Sequence, residues 1–145
     1  MVAMNKLLPF VFFLFAMPAF AQDCGNLSNV YESGECYEKQ LAQTDRKIQQ
    51  EIRTIQQMVR KWNPKQENSA ERYTIDKPLA ESQAAWKAYV EKDCNLSTLP
   101  TDSFAQGGGS GMVMRACFAE YYLERLKFLR GIRKDTAETI KAYPN

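Results

Sequence analysis

The sequence contains no histidine, the side chain that enzymes use most often to transfer protons. Without it there is no Ser-His-Asp or Cys-His pair and no imidazole acid or base. Glycoside hydrolases need only two carboxylates, and Glu35 and Glu38 lie three residues apart on a predicted helix. Paired glutamates in an acidic stretch are more often a solvated face, so we expect a protein that is not an enzyme and has no cofactor.

The sequence also has little net charge and no cysteine pair of the C-x-x-C type. The lack of that spacing, together with the lack of histidine, argues against a zinc site, so no metal is expected. The chain has 19 basic and 17 acidic residues. A nucleic-acid-binding protein needs a clear basic excess, so we expect no nucleic-acid partner.

Only one long apolar run is present, from Leu7 to Met17, and no second one follows it. Lys6 before the run and Ala19-Phe-Ala21 after it are typical of a secretory signal. Cleavage after Ala21 would leave 22–145 as a single domain with no stable membrane anchor, exported to the bacterial periplasm or secreted. A retained anchor is the alternative, because 10–15 is strongly apolar. A lipid anchor on Cys24 is disfavoured by the polar residues before it.

Charge is spread unevenly along the predicted mature chain. Its first part is acidic, with no basic residue before Lys39, and the stretch 115–134 is rich in arginine and lysine. The acidic residues are Asp23, Glu32, Glu35 and Glu38. Two solvated helix faces would give the same pattern.

Four cysteines in an exported chain of this size predict two disulfides. The spacing favours Cys24–Cys36, with glycines between them, and Cys94–Cys117, which would join the second and third helices across a glycine-rich loop. The crossed pairings remain compatible with a helical bundle. The spacing of the cysteines alone therefore does not exclude the crossed pairings.

The periodicity predicts an all-α fold, an antiparallel bundle of three main helices stapled by the two disulfides. Apolar residues recur every three or four positions from Tyr37 to Trp62, which predicts a first helix from Cys36 to Asn63, ended by Pro64. After a polar segment, 65–72, a second helix is predicted from an N-cap at Asp76 to Cys94 or Asn95. The third is predicted from Met112 to Leu129 or beyond, with Gly131 ending or kinking it.

The segment between the second and third helices, Leu96 to Gly111, is predicted to be a loop, because it contains Pro100 and the run Gly107-Gly-Gly-Ser-Gly111. A phosphate-binding loop would need a preceding strand and a following Lys-Ser or Lys-Thr. Met112 follows instead, and no strand precedes the run. The glycines are therefore expected to allow a tight turn, with Ser110 as the cap of the third helix.

The second helix carries a Gln, a Trp, a Tyr and a Cys at intervals that resemble the signature helix of the lysozyme inhibitor LprI-type N-terminal domain family. The resemblance covers about 24–130. The matching positions, in chain order, are Cys24, Cys36, Asp45, Ile48, Gln83, Trp86, Tyr89, Cys94, Gly108, Gly109, Ser110, Cys117, Arg125 and Leu129. The sequence departs from the family pattern at Val90, where the family usually has an arginine, and at Gln49, where an asparagine is expected.

The resemblance implies a secreted or periplasmic domain with a protein partner, a lysozyme or a related muramidase. Inhibition would occur by occlusion of the glycan cleft. Because host lysozymes are strongly basic, Glu32, Glu35 and Glu38 are the expected steering residues. Tyr121 and Tyr122 point about 100° apart on a helix, so one of them is expected at an interface, and Tyr122 is the candidate.

Two other functions fit the same sequence. An envelope structural or assembly factor needs no enzyme target. A peptidoglycan-binding module could stack sugars on an exposed Trp62 or Trp86.

Overall fold

The computed structural model describes residues 23–62, 75–104 and 109–144, with the side chains of 101–104 excepted. These ranges contain a short 3₁₀ turn at Cys24–Asn26 and three long helices, α1 (Val30–Trp62), α2 (Asp76–Phe104) and α3 (Ser110–Ala142). No strand occurs in them. The predicted all-α three-helix fold is confirmed. The predicted signal at 1–21 and the polar segment at 65–72 lie outside the described residues.

Helix α1 begins at Val30, six residues before the predicted start at Cys36. The reason is a cap that the apolar periodicity does not reveal. The side chain of Asn29 accepts a hydrogen bond from the backbone N–H of Glu32 at 2.8 Å, which satisfies one of the donors left free at a helix start. Gly34, one of the glycines between Cys24 and Cys36, lies inside this helix and is buried.

Helix α2 continues through Pro100 to Phe104, so the prediction that the helix ends at Cys94 or Asn95 is wrong. Proline cannot donate to the carbonyl four residues before it. Two side-chain hydroxyls bond backbone carbonyls in the turn before it, Ser97 to Cys94 at 2.7 Å and Thr98 to Asn95 at 2.8 Å. Neither bond reaches the carbonyl of Leu96, the acceptor to which Pro100 has no N–H to donate. The N-terminal half of the predicted loop is therefore helical.

Helix α3 runs without interruption from Ser110 to Ala142. Gly131 neither ends nor kinks it. The N-cap is Gly109, and no side chain caps this end. Ser110 is thus the first helical residue and not the predicted cap.

The helices alternate in direction along the chain, as an antiparallel bundle requires. Cys94 faces Cys117 and Gln83 faces Arg125, so α2 and α3 are antiparallel. Glu38 faces Arg115 and Glu51 faces Arg133, so α1 and α3 are parallel. Trp62, at the end of α1, donates its indole N–H to the carbonyl of Tyr143 at 2.8 Å, which ties the ends of these two helices together.

The apolar core lies where α1 and α3 pack together. Ile48 and Ile55 from α1 and Leu126 and Leu129 from α3 form a buried cluster. Partly buried side chains from all three helices cover it, namely Ile52, Ile75, Leu79, Trp86, Tyr122 and Ile132. The predicted disulfides are both confirmed, Cys24–Cys36 with Cα atoms 5.5 Å apart and Cys94–Cys117 with Cα atoms 5.6 Å apart. Both lie toward the end of the bundle where α1 and α3 begin.

Candidate functional site: the acidic end and the α2–α3 seam

Four exposed carboxylates lie at the start of the described chain and are here called the acidic end, Asp23, Glu32, Glu35 and Glu38. Several of them also stabilise local structure. Asp23 accepts hydrogen bonds from the backbone N–H of Gly25 at 3.1 Å and the side-chain amide of Asn26 at 2.5 Å. Glu32 accepts one from the Ser28 hydroxyl at 2.7 Å and lies in the first turn of α1, where a negative charge is favourable.

One cation of α3 enters this acidic end. The guanidinium of Arg115 pairs with Glu38 at 2.8 Å. A Cβ added at Gly34 would lie 3.2 Å from the same guanidinium, and one at Gly111 would lie 3.5 Å from it. Glycines at these two positions therefore give the arginine room. This ion pair reduces the net negative charge of the acidic end. A cationic partner therefore competes with Arg115 for Glu38, but not for Glu32 or Glu35.

Tyr31 projects from the acidic end and is 75% exposed. The carboxylate of Glu35 accepts its hydroxyl hydrogen bond and, with Glu38, raises the pKa of Tyr31 above its usual value. Val30 beside it is also exposed. An exposed aromatic ring among carboxylates resembles the anchors found at protein interfaces. The acidic residues of the sequence indicated the glutamates as contact residues but did not indicate Tyr31.

The residues that match the family signature meet in the seam between α2 and α3. Arg125 donates to the side-chain oxygen of Gln83 at 3.1 Å and to the Ser82 hydroxyl at 3.0 Å. Its guanidinium also lies 5.5 Å from the ring centre of Trp86 and 5.3 Å from that of Phe128. Partial burial lowers the pKa of Arg125. These contacts make Arg125 a structural tie between two helices.

Tyr89 and Tyr121 form a second tie in the same seam. Their rings meet edge to face at 5.7 Å, and their hydroxyl oxygens are 3.3 Å apart. The Tyr121 hydroxyl donates to the carboxylate of Asp93, and this hydrogen bond is the main reason that the pKa of Tyr121 is raised. Tyr89 is exposed. The seam between α2 and α3 is therefore held by these hydrogen bonds and ring contacts, while the ring of Tyr89 remains exposed to solvent.

Tyr122, the predicted interface tyrosine, is half-buried and packs against the apolar core. Its ring lies 4.9 Å from that of Trp86 and 6.5 Å from that of Phe118. Burial, and then the nearby charge of Asp45, raises the pKa of Tyr122. One part of this tyrosine faces an open groove of about 320 Å³ that runs between α2 and α3.

Val90, where the family usually has an arginine, is fully buried and lines the same groove. A charged side chain buried at this place would need a partner. The valine therefore fills space in the core, and the departure from the family pattern has a packing explanation.

The structure brings the sequence-predicted residues together in two separate places. Glu32, Glu35 and Glu38 lie at the acidic end, whereas Gln83, Trp86, Tyr89, Tyr122 and Arg125 lie along the seam. Gly109 and Ser110 stand at the start of α3, and Gly108 lies outside the described residues. Four further residues of these two places were not predicted from the sequence, namely Tyr31, Ser82, Asp93 and Arg115. Arg115 begins the basic stretch noted in the sequence, but its place opposite the acidic end depends on how α3 lies beside α1.

Two further properties of the described residues concern metals and membranes. Within 23–62, 75–104 and 109–144, no group of three or more acidic or cysteine side chains is placed to hold a metal ion. No helix in those ranges is long and apolar enough to cross a membrane.

Comparison with models of known protein families identifies a match over most of the chain. A family model described as "Lysozyme inhibitor LprI" matches residues 23–129, which cover most of the chain. The matched range includes both disulfides, the acidic end and the α2–α3 seam. No curated protein and no solved structure matches the chain.

Proposed function

The chain belongs to the lysozyme inhibitor LprI family, and on that premise we propose that it is a protein-binding domain that inhibits a lysozyme or a related muramidase. The family match carries the proposal, and it begins at Asp23, the first residue of the acidic end. The proposed contact surface is the acidic end together with Tyr31. The proposed location is the periplasm or the extracellular space, where the two disulfides would persist.

Inhibition would need no chemistry from this chain. Lysozymes cleave glycans with two carboxylates in an open cleft, so a protein that covers the cleft prevents substrate from entering. Host lysozymes are basic, and a negative surface accelerates association with a basic partner. Glu32 and Glu35 supply that charge most directly, because Arg115 already pairs with Glu38.

A binding surface benefits from being ordered before the partner arrives, because ordering it on binding lowers affinity. The Cys24–Cys36 disulfide ties the first residues of the described chain to α1. Asn29 and Glu32 then define the first turn of the helix. Tyr31 is therefore presented on a fixed helix end, and its exposed ring is the proposed anchor. Contact of Tyr122 with a partner remains a secondary prediction, since only part of that side chain is exposed.

The test is a kinetic binding assay combined with clearance of a cell-wall suspension by lysozyme. We expect the oxidised protein to slow clearance. Glu32→Lys with Glu35→Lys should reduce the association rate several-fold at low salt, and less at high salt. The control is Glu91→Lys with Glu120→Lys, which makes the same change in net charge at exposed positions of α2 and α3. Equal association rates for the two double variants would refute the role of the acidic end.

Tyr31→Ala tests the contact made by the tyrosine ring separately from the electrostatic attraction exerted by the glutamates. We expect it to increase the dissociation rate and to leave the association rate nearly unchanged, because loss of a buried contact acts mainly after the encounter. Full clearance at excess wild-type protein would reject lysozyme inhibition as a whole. A pull-down on insoluble cell wall, without lysozyme, distinguishes the peptidoglycan-binding alternative.

A further inference from the structure

The outward face of α3 carries a shallow hollow that the proposed lysozyme contact does not use. Its volume is about 350 Å³, and the described residues that line it come from α3, namely Glu124, Lys127, Phe128, Gly131, Ile132 and Asp135. A Cβ added at Gly131 would have no neighbour within 4 Å. No close packing within the described chain therefore requires a glycine here, although glycine weakens a helix interior.

An exposed aromatic ring stands at the edge of this hollow. Phe128 is 55% exposed, although its ring is large and apolar. The guanidinium of Arg125 lies 5.3 Å from its ring centre, so a neighbour holds the ring while much of its surface remains uncovered. The same helix therefore presents both a hollow at Gly131 and an exposed ring, Phe128, of the kind that fills a hollow.

We propose that this face is an interface between two copies of the chain, in which two α3 helices cross antiparallel about a twofold axis at Gly131. Each copy places its Phe128 ring over the hollow of the other. A twofold interface uses the same surface on both partners, so the surface must be self-complementary. Glycine at the crossing point permits the close approach of the two backbones.

The charges around Gly131 have this self-complementary arrangement. Lys127 lies four residues before Gly131 and Asp135 lies four residues after it. A twofold axis at Gly131 therefore places Lys127 of one copy opposite Asp135 of the other, and does so twice. The neighbouring cations already have partners within the chain, because Arg130 and Arg133 pair with Glu51 and Lys134 pairs with Glu138.

The same axis also relates Glu124 to Glu138, which are like charges. These residues are seven positions from the crossing, about 10 Å along the helix. Packed helices commonly cross at about 50°, so the two chains have diverged at that distance. Lys134, 3.9 Å from Glu138, further reduces the repulsion. Because a single helix crossing buries a small area, the dimer is a weak one.

The test is a charge swap measured by sedimentation velocity over a concentration series of the oxidised protein. Wild type should dimerise as its concentration rises. Lys127→Asp alone and Asp135→Lys alone should each raise the dimer dissociation constant at least tenfold, because each places like charges opposite one another twice. An equal mixture of the two variants should regain association, since both opposite-charge pairs are restored in the mixed dimer. A wild type that stays monomeric throughout, or single variants that associate as wild type does, would overturn the proposal.

Cysteine cross-linking gives a second and more sensitive measurement. Gly131→Cys adds a side chain that meets no neighbour within its own copy and that lies on the proposed axis beside the same residue of the second copy, so mild oxidation should join two copies rapidly. Glu120→Cys is the matched control, since it is exposed on the same helix but lies far from the crossing. Cross-linking at equal rates for the two variants would contradict the crossing point. Neither measurement uses lysozyme, so the dimer and the proposed inhibition can fail independently.

Discussion

The two halves of the bundle are stabilised in different ways. The half where α1 and α3 begin carries both disulfides, and besides Val90 it buries the small or polar residues Ser33, Gly34, Thr44 and Thr98. The other half buries the large apolar side chains of the core cluster, such as Ile55 and Leu129. Below we call them the disulfide half and the packed half. Apolar side chains are exposed in both halves, Val30, Tyr31, Leu96 and Leu99 in the disulfide half and Phe128 and Tyr143 in the packed half.

Truncation in the packed half should have the largest effect on stability. Ile48 is fully buried in the core cluster. We expect Ile48→Ala to lower the free energy of unfolding by about 2–5 kcal/mol, because it removes apolar contacts and leaves a cavity. Urea denaturation followed by circular dichroism measures the change. Leu41→Ala, in the disulfide half and only half-buried, should cost clearly less, and an equal loss would contradict the proposed difference between the halves.

Removal of a disulfide should have the next largest effect. Cys94 and Cys117 are 23 residues apart in the sequence. Replacing both by serine should lower stability by about 3 kcal/mol in the chain-entropy treatment, since the unfolded chain regains the freedom of that loop. Hydrogen exchange distinguishes where the protein loosens. Amides near Cys94 and Cys117 should lose protection more than those near Ile55 and Leu129. An unchanged melting curve would show that packing alone holds the disulfide half.

The smallest predicted effect concerns high pH. The pKa of Tyr121 is raised, first by its hydrogen bond to Asp93 and then by that to Tyr89. The folded protein therefore keeps this proton when the unfolded chain, whose tyrosine pKa is about 10, releases it. The stabilisation is present below a pH of about 10, the pKa of tyrosine in the unfolded chain, and decreases as the pH rises above that value. Tyr121→Phe should make stability less dependent on pH between neutral and alkaline solution. A variant with the parent's pH dependence would refute this assignment.

The sequence allowed the fold class to be predicted because apolar spacing records which side of a helix is buried. The predicted stripe from Tyr37 to Trp62 contains the fully buried Ile48 and Ile55. The helix ends were harder to predict, since they depend on single hydrogen bonds. Asn29 extends α1 toward the N-terminus, and α2 continues through Pro100, a residue that usually ends a helix.

The candidate surfaces were predictable only in part, for a related reason. A run of glutamates is apparent from the sequence itself, so the acidic end could be predicted. Its partial neutralisation by Arg115 depends on how α3 lies beside α1, which periodicity does not specify. Likewise Gln83 and Arg125 belong to one motif, but only the structure shows that they bond each other.

The two disulfides join consecutive cysteines and neither spans the other in the sequence. A chain that emerges into an oxidising compartment from its N-terminus presents Cys24 and Cys36 before Cys94 appears. Each bond can form as soon as its second cysteine arrives, and the order of arrival already excludes most wrong partners for the first bond. Biogenesis of this protein would then need an oxidant but little or no disulfide isomerase. The disulfides also leave α1 without a covalent link to α3, so docking of these two helices can follow oxidation as a separate step.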